Sequence, residues 1–185
     1  MNRFLKVLPF LVFFGALLRA SAAPAQQPSR VVLTLQGRAA MPVIIGRNAS
    51  PRIRSIAHTL ADYLQRISGA TFEVATGDGQ KGIAIGVSAD FPALELDRKL
   101  DARGFERREQ YLLQTHAAGL LVVGATELAV ENGVWDLLYR LGYRQFFPGP
   151  TWEVVPTEPD ISVALDAKEA PDYFTRGMFY GHGFL

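Results

Sequence analysis

The side chains best suited to proton transfer or metal ligation are three histidines, His58, His116 and His182, and one helix-spaced pair of acids, Glu127 and Glu131. The histidines lie in a helix, in a tight connection and near the end of the chain. They show none of the close spacings that bring imidazoles onto one metal, and they read as surface histidines. The glutamates raise a sharper question, because paired carboxylates carry out glycoside hydrolysis, one as general acid and one as nucleophile or base. Such a pair must flank a sugar ring, whereas residues four apart on a helix point the same way. Both also lie in the first turns of a helix, where the dipole favours acids, so a structural role is expected of them. The 185 residues include no cysteine, which excludes a disulfide framework, a thiol nucleophile and a Cys-ligated zinc or iron–sulfur site. "LLVVGATELAVENG" has the strand–turn–helix order of a dinucleotide site, but Thr126 and Ala129 stand where its second and third glycines belong. No Walker motif, H-E-x-x-H or G-x-S-x-G is present. No cofactor and no metal is expected, and composition and spacing by themselves assign no catalytic residue.

Two helices and a set of short strands must position whatever chemistry there is. Ser50 caps a helix with Pro51 at its first position, where a missing N–H costs nothing. Ile53, Ile56, Ala57, Leu60, Ala61, Leu64 and Ile67 then form one apolar stripe, and Gly69 stops the helix. Thr126 caps a second helix with Val130, Val134, Leu137, Leu138 and Leu141 on its buried side, closed by Gly142. Asp136 and Arg140 form an i,i+4 pair on its outer side. Gly133 inside this helix costs about 1 kcal/mol against alanine, so it marks a close approach of helix to helix or helix to strand.

"RVVLTLQG", "MPVIIG", "TFEVA", "GIAIGVS", "YRQFF", "WEVV" and "ISVAL" read as strands, and "YLLQT" with "LLVVG" as an antiparallel hairpin. Ala89 to Gln110 is mostly charge with little periodicity and reads as a solvated excursion. The fold class is α+β: a two-layer sandwich of a mixed, mainly antiparallel sheet with both helices on one face. In "LYRLGYRQFFPGPTWEVVP", Tyr139, Tyr143 and Trp152 are of a type that stacks on sugar faces. Core or interdomain packing is the plainer role for Phe146, Phe147 and Trp152.

The chain is 49% hydrophobic and 20% charged with a net charge of +1, so no field steers it to nucleic acid or anionic lipid. Arg3 and Lys6 precede a 12-residue apolar run from Val7 to Leu18, too short to span a bilayer comfortably, and "ASA" follows. This predicts a signal peptide over 1–22 with a mature start near Ala23, or, left uncleaved, an N-terminal anchor. The remainder is expected outside the cytoplasm, secreted or periplasmic, with no membrane attachment after cleavage. Residues 23–29 read as a disordered lead-in and 30–165 as the domain.

The segments "IIGRNASPRIRSIAHTLADYLQRISGATFEV", "GIAIGVS", "YLLQTHAAGLLVVGATELAVENGVWDLLYRLGYRQFFPGPTWEVVP" and "APDYFTRGMFY" occur in that order. The set resembles the N-terminal accessory domain of secreted glycoside hydrolases, among them α-glucuronidases and β-N-acetylhexosaminidases. The resemblance implies a non-catalytic α/β sandwich, followed by a (β/α)₈ barrel that binds the carbohydrate and carries the catalytic acids. It implies that residues 166–185 are a linker and the first barrel strand, that the chain is a fragment, and that its partner is an intramolecular catalytic domain. By the same resemblance Arg176 is a candidate sugar contact and His182 stands near a family histidine; Trp152 completes the candidate substrate-binding set. The hexosaminidase pattern continues with an aspartate and an Arg-His pair where this chain has "YGHGFL", which turns the resemblance toward the α-glucuronidase-like group. A stand-alone carbohydrate-binding module and an envelope interaction domain are the alternatives.

Overall fold

The computed structural model describes residues 27–100, 104 and 107–170. The signal segment over 1–22, Arg176, His182 and the expected barrel strand lie outside the described residues.

Chain order runs through four short strands, β1 (Val31–Val32), β2 (Thr34–Leu35), β3 (Arg38–Ala39) and β4 (Val43–Ile45), to helix α1 (Pro51–Ser68). Next come β5 (Val74–Thr76), β6 (Gly82–Val87), three single 3₁₀ turns between Ser88 and Arg98, β7 (Tyr111–His116), β8 (Gly119–Gly124) and α2 (Glu127–Arg140). The described chain ends with β9 (Arg144–Gln145), a 3₁₀ turn at Pro150–Trp152, β10 (Glu153–Val154), β11 (Ser162–Val163) and β12 (Asp166–Glu169).

Both helices form as their sequences dictate. Ser50 Oγ accepts from Ile53 N at 3.2 Å, and Gly69, at φ 75°, donates its N–H to Gln65 O. All seven residues of the predicted α1 stripe are buried. Thr126 Oγ1 accepts from Ala129 N at 3.3 Å, and Val130, Val134, Leu137 and Leu138 are buried with Ala129 and Gly133. The Gly133 approach is helix to strand: a Cβ there would stand 3.1 Å from Tyr111 Cδ2.

The principal sheet has six strands in the order β12-β7-β8-β6-β4-β5. The β7–β8 hairpin is antiparallel, as is β12 on β7; β8–β6, β6–β4 and β4–β5 are parallel. Small antiparallel pairs, β1–β11, β2–β3 and β9–β10, make antiparallel pairing the majority among the described residues. The sheet takes in Asp166–Glu169, so the structured unit runs past the 30–165 span drawn from sequence.

Both helices pack on one face of this sheet, in a single core where Ile53, Leu60 and Leu64 of α1 and Val130, Val134 and Leu137 of α2 meet Val43, Ile83, Ile85, Leu113 and Val122. The opposite face carries Ile44, Ala84, Leu112, Leu121 and Val123, and it is covered by Phe91, Leu96 and Leu100. The segment after Ala89 is thus a lid on the second face and not simply a solvated excursion. Phe91 is wholly buried. Parallel strands are apolar on both faces, so "VII" and "GIAIGV" require burial from both sides, and the local charge density around Arg98 concealed the few residues that provide it.

Candidate functional site

The aromatic-rich stretch after α2 folds as an arm. Gly142, at φ 98°, turns the chain out of the helix against Pro156, and Gly149, at φ 109°, forms the far bend. Between them β9 and β10 pair, among the described residues, only with each other, in the register Glu153↔Gln145 and Val154↔Arg144. Phe146 N donates to Trp152 O at 3.1 Å, and Trp152 N to Gly149 O.

The arm tip is apolar and open. Phe146 is 66%, Phe147 60% and Trp152 51% exposed, so none of the three is core of the described domain. Phe147 and Trp152 meet edge to face with centroids 5.0 Å apart. Tyr139 and Val154 continue the exposed surface toward the body. Arg144 lies 3.9 Å above the Tyr139 ring and donates from Nη1 to the carbonyls of Tyr139 and Tyr143, both at 2.6 Å. Its guanidinium therefore bonds one carbonyl of the last turn of α2, that of Tyr139, and one at the arm base, that of Tyr143. Such a surface supports ring stacking on the C–H face of a sugar or packing against an apolar protein face.

Sequence reasoning missed the group that holds the arm. Tyr63 and Tyr143 both donate their hydroxyls to Glu153 Oε1, at 2.6 and 3.1 Å, and Arg66 donates to Oε2 at 2.7 Å. Tyr63, Trp135 and Tyr143 pack ring to ring with centroids 5.0 to 5.6 Å apart, and Arg66 lies 4.5 Å over Tyr63. The bonds from Tyr63 and Arg66 hold the Glu153 carboxyl below the usual carboxylate range, against the opposing effect of desolvation. Burial, with the bond to Tyr63 and the neighbouring acid, pushes the Tyr143 phenol well above its ordinary value. The available signal was a lone acid inside the apolar run "WEVV", together with a tyrosine and an arginine three residues apart on α1.

A second cleft, of about 370 Å³, lies beside the N-termini of both helices and is lined by Arg52, Arg108, Glu109, Thr126, Glu127 and Leu128. Glu127 and Glu131 are engaged here with the other helix: Ser50 Oγ donates to Glu127, and Arg52 pairs with Glu131 at 2.7 Å. Thr126 Oγ1 donates to Arg108 O, and Asn132 to Glu109. The two glutamates thus have the structural role expected of acids in the first turns of α2, and they also tie the two helices together.

The two described histidines are apart. His58 is exposed on α1. His116 accepts from Ala118 N through Nδ1, its Nε2 is buried without a partner, and burial lowers its pKa. Among the described residues no group of histidine and acidic side chains is placed to hold a metal ion, and no helix is long and apolar enough to cross a membrane. Of the three predicted substrate-binding residues, Trp152 stands at the open arm tip; Arg176 and His182 fall outside the described residues.

No protein-family model matches the chain, and no curated protein matches it. Among solved structures, a family GH115 4-O-methyl-α-glucuronidase with specificity for decorated arabinogalactans superposes with a TM-score of 0.54 at 18% identity, over 75% of this chain and 18% of that one. Two β-N-acetylhexosaminidases, from Streptomyces plicatus and Streptomyces coelicolor A3(2), match at TM-scores of 0.49 and 0.44 with 20% and 18% identity, each over 80% of this chain and 25% of theirs. The chain spans a quarter or less of the length of each of these enzymes, and its fold is similar to one segment of a GH115 α-glucuronidase.

Proposed function

We propose that this chain is a non-catalytic accessory domain of a secreted glycoside hydrolase that acts in carbohydrate breakdown, and that it supports a catalytic barrel which performs the chemistry. The observation that carries the reading is the fold it shares with a segment of an α-glucuronidase. The geometry is consistent with a supporting role. The carboxylates of Glu127, Glu131 and Glu153 each bond to side chains that tie one element to another. The exposed rings of Phe146, Phe147 and Trp152 are the surface offered to the neighbouring domain, and Arg176 and His182 are kept as candidate sugar contacts. The leading apolar segment, read as a signal peptide, supports the secreted location.

The test is to recover the native protein from the source organism with an antibody against residues 27–170. The expected result is extracellular material that hydrolyses uronic-acid or hexosaminide glycosides, while the purified 185-residue chain does not. Native material without glycosidase activity, or retained in the cytoplasm, would overturn the reading.

A second reading, a carbohydrate-binding module, is favoured by one observation, the open Phe147–Trp152 pair. Titration calorimetry of the chain with xylo-, gluco- and chito-oligosaccharides tests it. Absence of heat at millimolar ligand excludes it.

A further inference from the structure

The arm is joined to the body in an unusual way. Among the described residues its two strands belong to no larger sheet. At its base, Tyr143 N donates to Leu138 O, and Arg144 to Tyr139 O, so these bonds reach only the end of the helix it leaves. Gly142 lies at one junction, with Pro156 against it at the other. The side-chain bonds from α1 to the arm, among the described residues, come from Tyr63 and Arg66 and both end on Glu153. Gln145 shares the Glu153 face of the ribbon, whereas Arg144 and Val154 take the other, because side chains alternate across a strand. Tyr143 and Val155 root the two ends of the ribbon in the helix–sheet core, and between them one carboxylate, Glu153, sets the angle at which Phe146, Phe147 and Trp152 are presented.

We propose that Glu153 is a latch: ionised, it clamps the arm against α1 and fixes the aromatic tip in one orientation, and without its charge the ribbon between Tyr143 and Val155 swings open while the helix–sheet body, those two residues included, stays folded. The groups facing Glu153 are Tyr63 and Arg66 from α1 and Tyr143 from the strand ahead of it; Trp135 of α2 closes the pocket with an uncharged ring. Arg66 supplies the charge that the ionised form requires, and both phenols are donors. A neutral carboxyl loses the ion pair and can accept fewer of the three bonds on favourable terms. The clamp is therefore closed at neutral pH and opens in acid, where a released tip would alter how the domain seats on its neighbour. The latch rests on the accessory-domain reading only for what the tip touches. The motion itself is independent of it.

Amide hydrogen exchange on the full chain tests the latch, comparing wild type with E153Q and Y63F. E153Q is expected to raise exchange in residues 144–154 by about tenfold, with α1, β6 and β8 unchanged, as for opening of a local unit. Y63F, which keeps the charge and Arg66, is expected to give a smaller rise in the same residues. After correction for intrinsic rates, the wild-type arm is expected to lose protection as pH falls below the usual carboxylate range, and the E153Q arm to show no such step. Unchanged protection of the arm in E153Q would overturn the proposal. So would equal loss of protection across the whole domain, since that would make Glu153 a general stabilising residue. No partner or sugar enters this measurement, so its failure is distinct from failure of the proposed function.

Discussion

The hydroxyl of Tyr63 donates to Glu153 across 2.6 Å and joins the first helix to a strand 90 residues later. The same carboxylate accepts from Arg66, one turn along the helix. A single acid thereby closes the contact between the helical layer and the arm that carries the exposed rings. Replacing Glu153 with alanine leaves two phenols and a guanidinium without their acceptor, and is expected to weaken closure of the arm on α1 by about 1–2 kcal/mol. Amide exchange in residues 144–154 measures it.

The acid limb of stability follows from the same carboxyl. Its pKa is depressed in the fold, so its contribution is complete above the unfolded carboxylate value and is lost as pH falls through the depressed folded value. Protection of the arm amides recorded from neutral pH downward, corrected for intrinsic rates, is expected to fall more steeply below pH 4.5 in wild type than in E153Q.

His116 acts in a different window. Burial lowers its pKa from 6.5, so the fold binds the proton less well than the unfolded chain does. Stability is expected to decline as pH falls below 6.5 toward the folded value, and then to level off for this group. The H116N variant is expected to lack that decline, and NMR titration of the imidazole would show a midpoint below the ordinary histidine value.

Phe91 tests the second core. It is wholly buried under the outer face of the sheet against Ala84, Leu121 and Val123. Its replacement by alanine is expected to cost about 3–5 kcal/mol, as for other buried aromatics. A cost below about 1 kcal/mol, the range of surface substitutions, would show that the Ser88–Leu100 segment does not cover the sheet.

The exposed rings are expected to behave oppositely. F147A and W152A should each change stability by no more than about 0.5 kcal/mol, because neither side chain is buried. If either proposed role holds, both should instead weaken association with the proposed catalytic domain, or with oligosaccharide, in a calorimetric titration. If both associations are unaffected, the arm tip has no part in either proposed role.

The sequence by itself determined the helices, their caps and the hairpin. The α1 stripe from Ile53 to Ile67, the Ser50 and Thr126 caps and the β7–β8 pair rest on contacts within a few residues, and local periodicity reports such contacts directly. It also disclosed that Glu127 and Glu131 belong to a helix start. Tertiary structure alone decided the strand order. It placed β4 between β5 and β6 and set β6 parallel to β8, since a short apolar run carries no record of which run it will pair with. It also decided that Phe91, Leu96 and Leu100 close the second face, and that Tyr63, Arg66 and Tyr143 converge on Glu153. Those contacts join residues far apart in the chain, and only the packing of α1 beside the arm brings a single acid within reach of three donors.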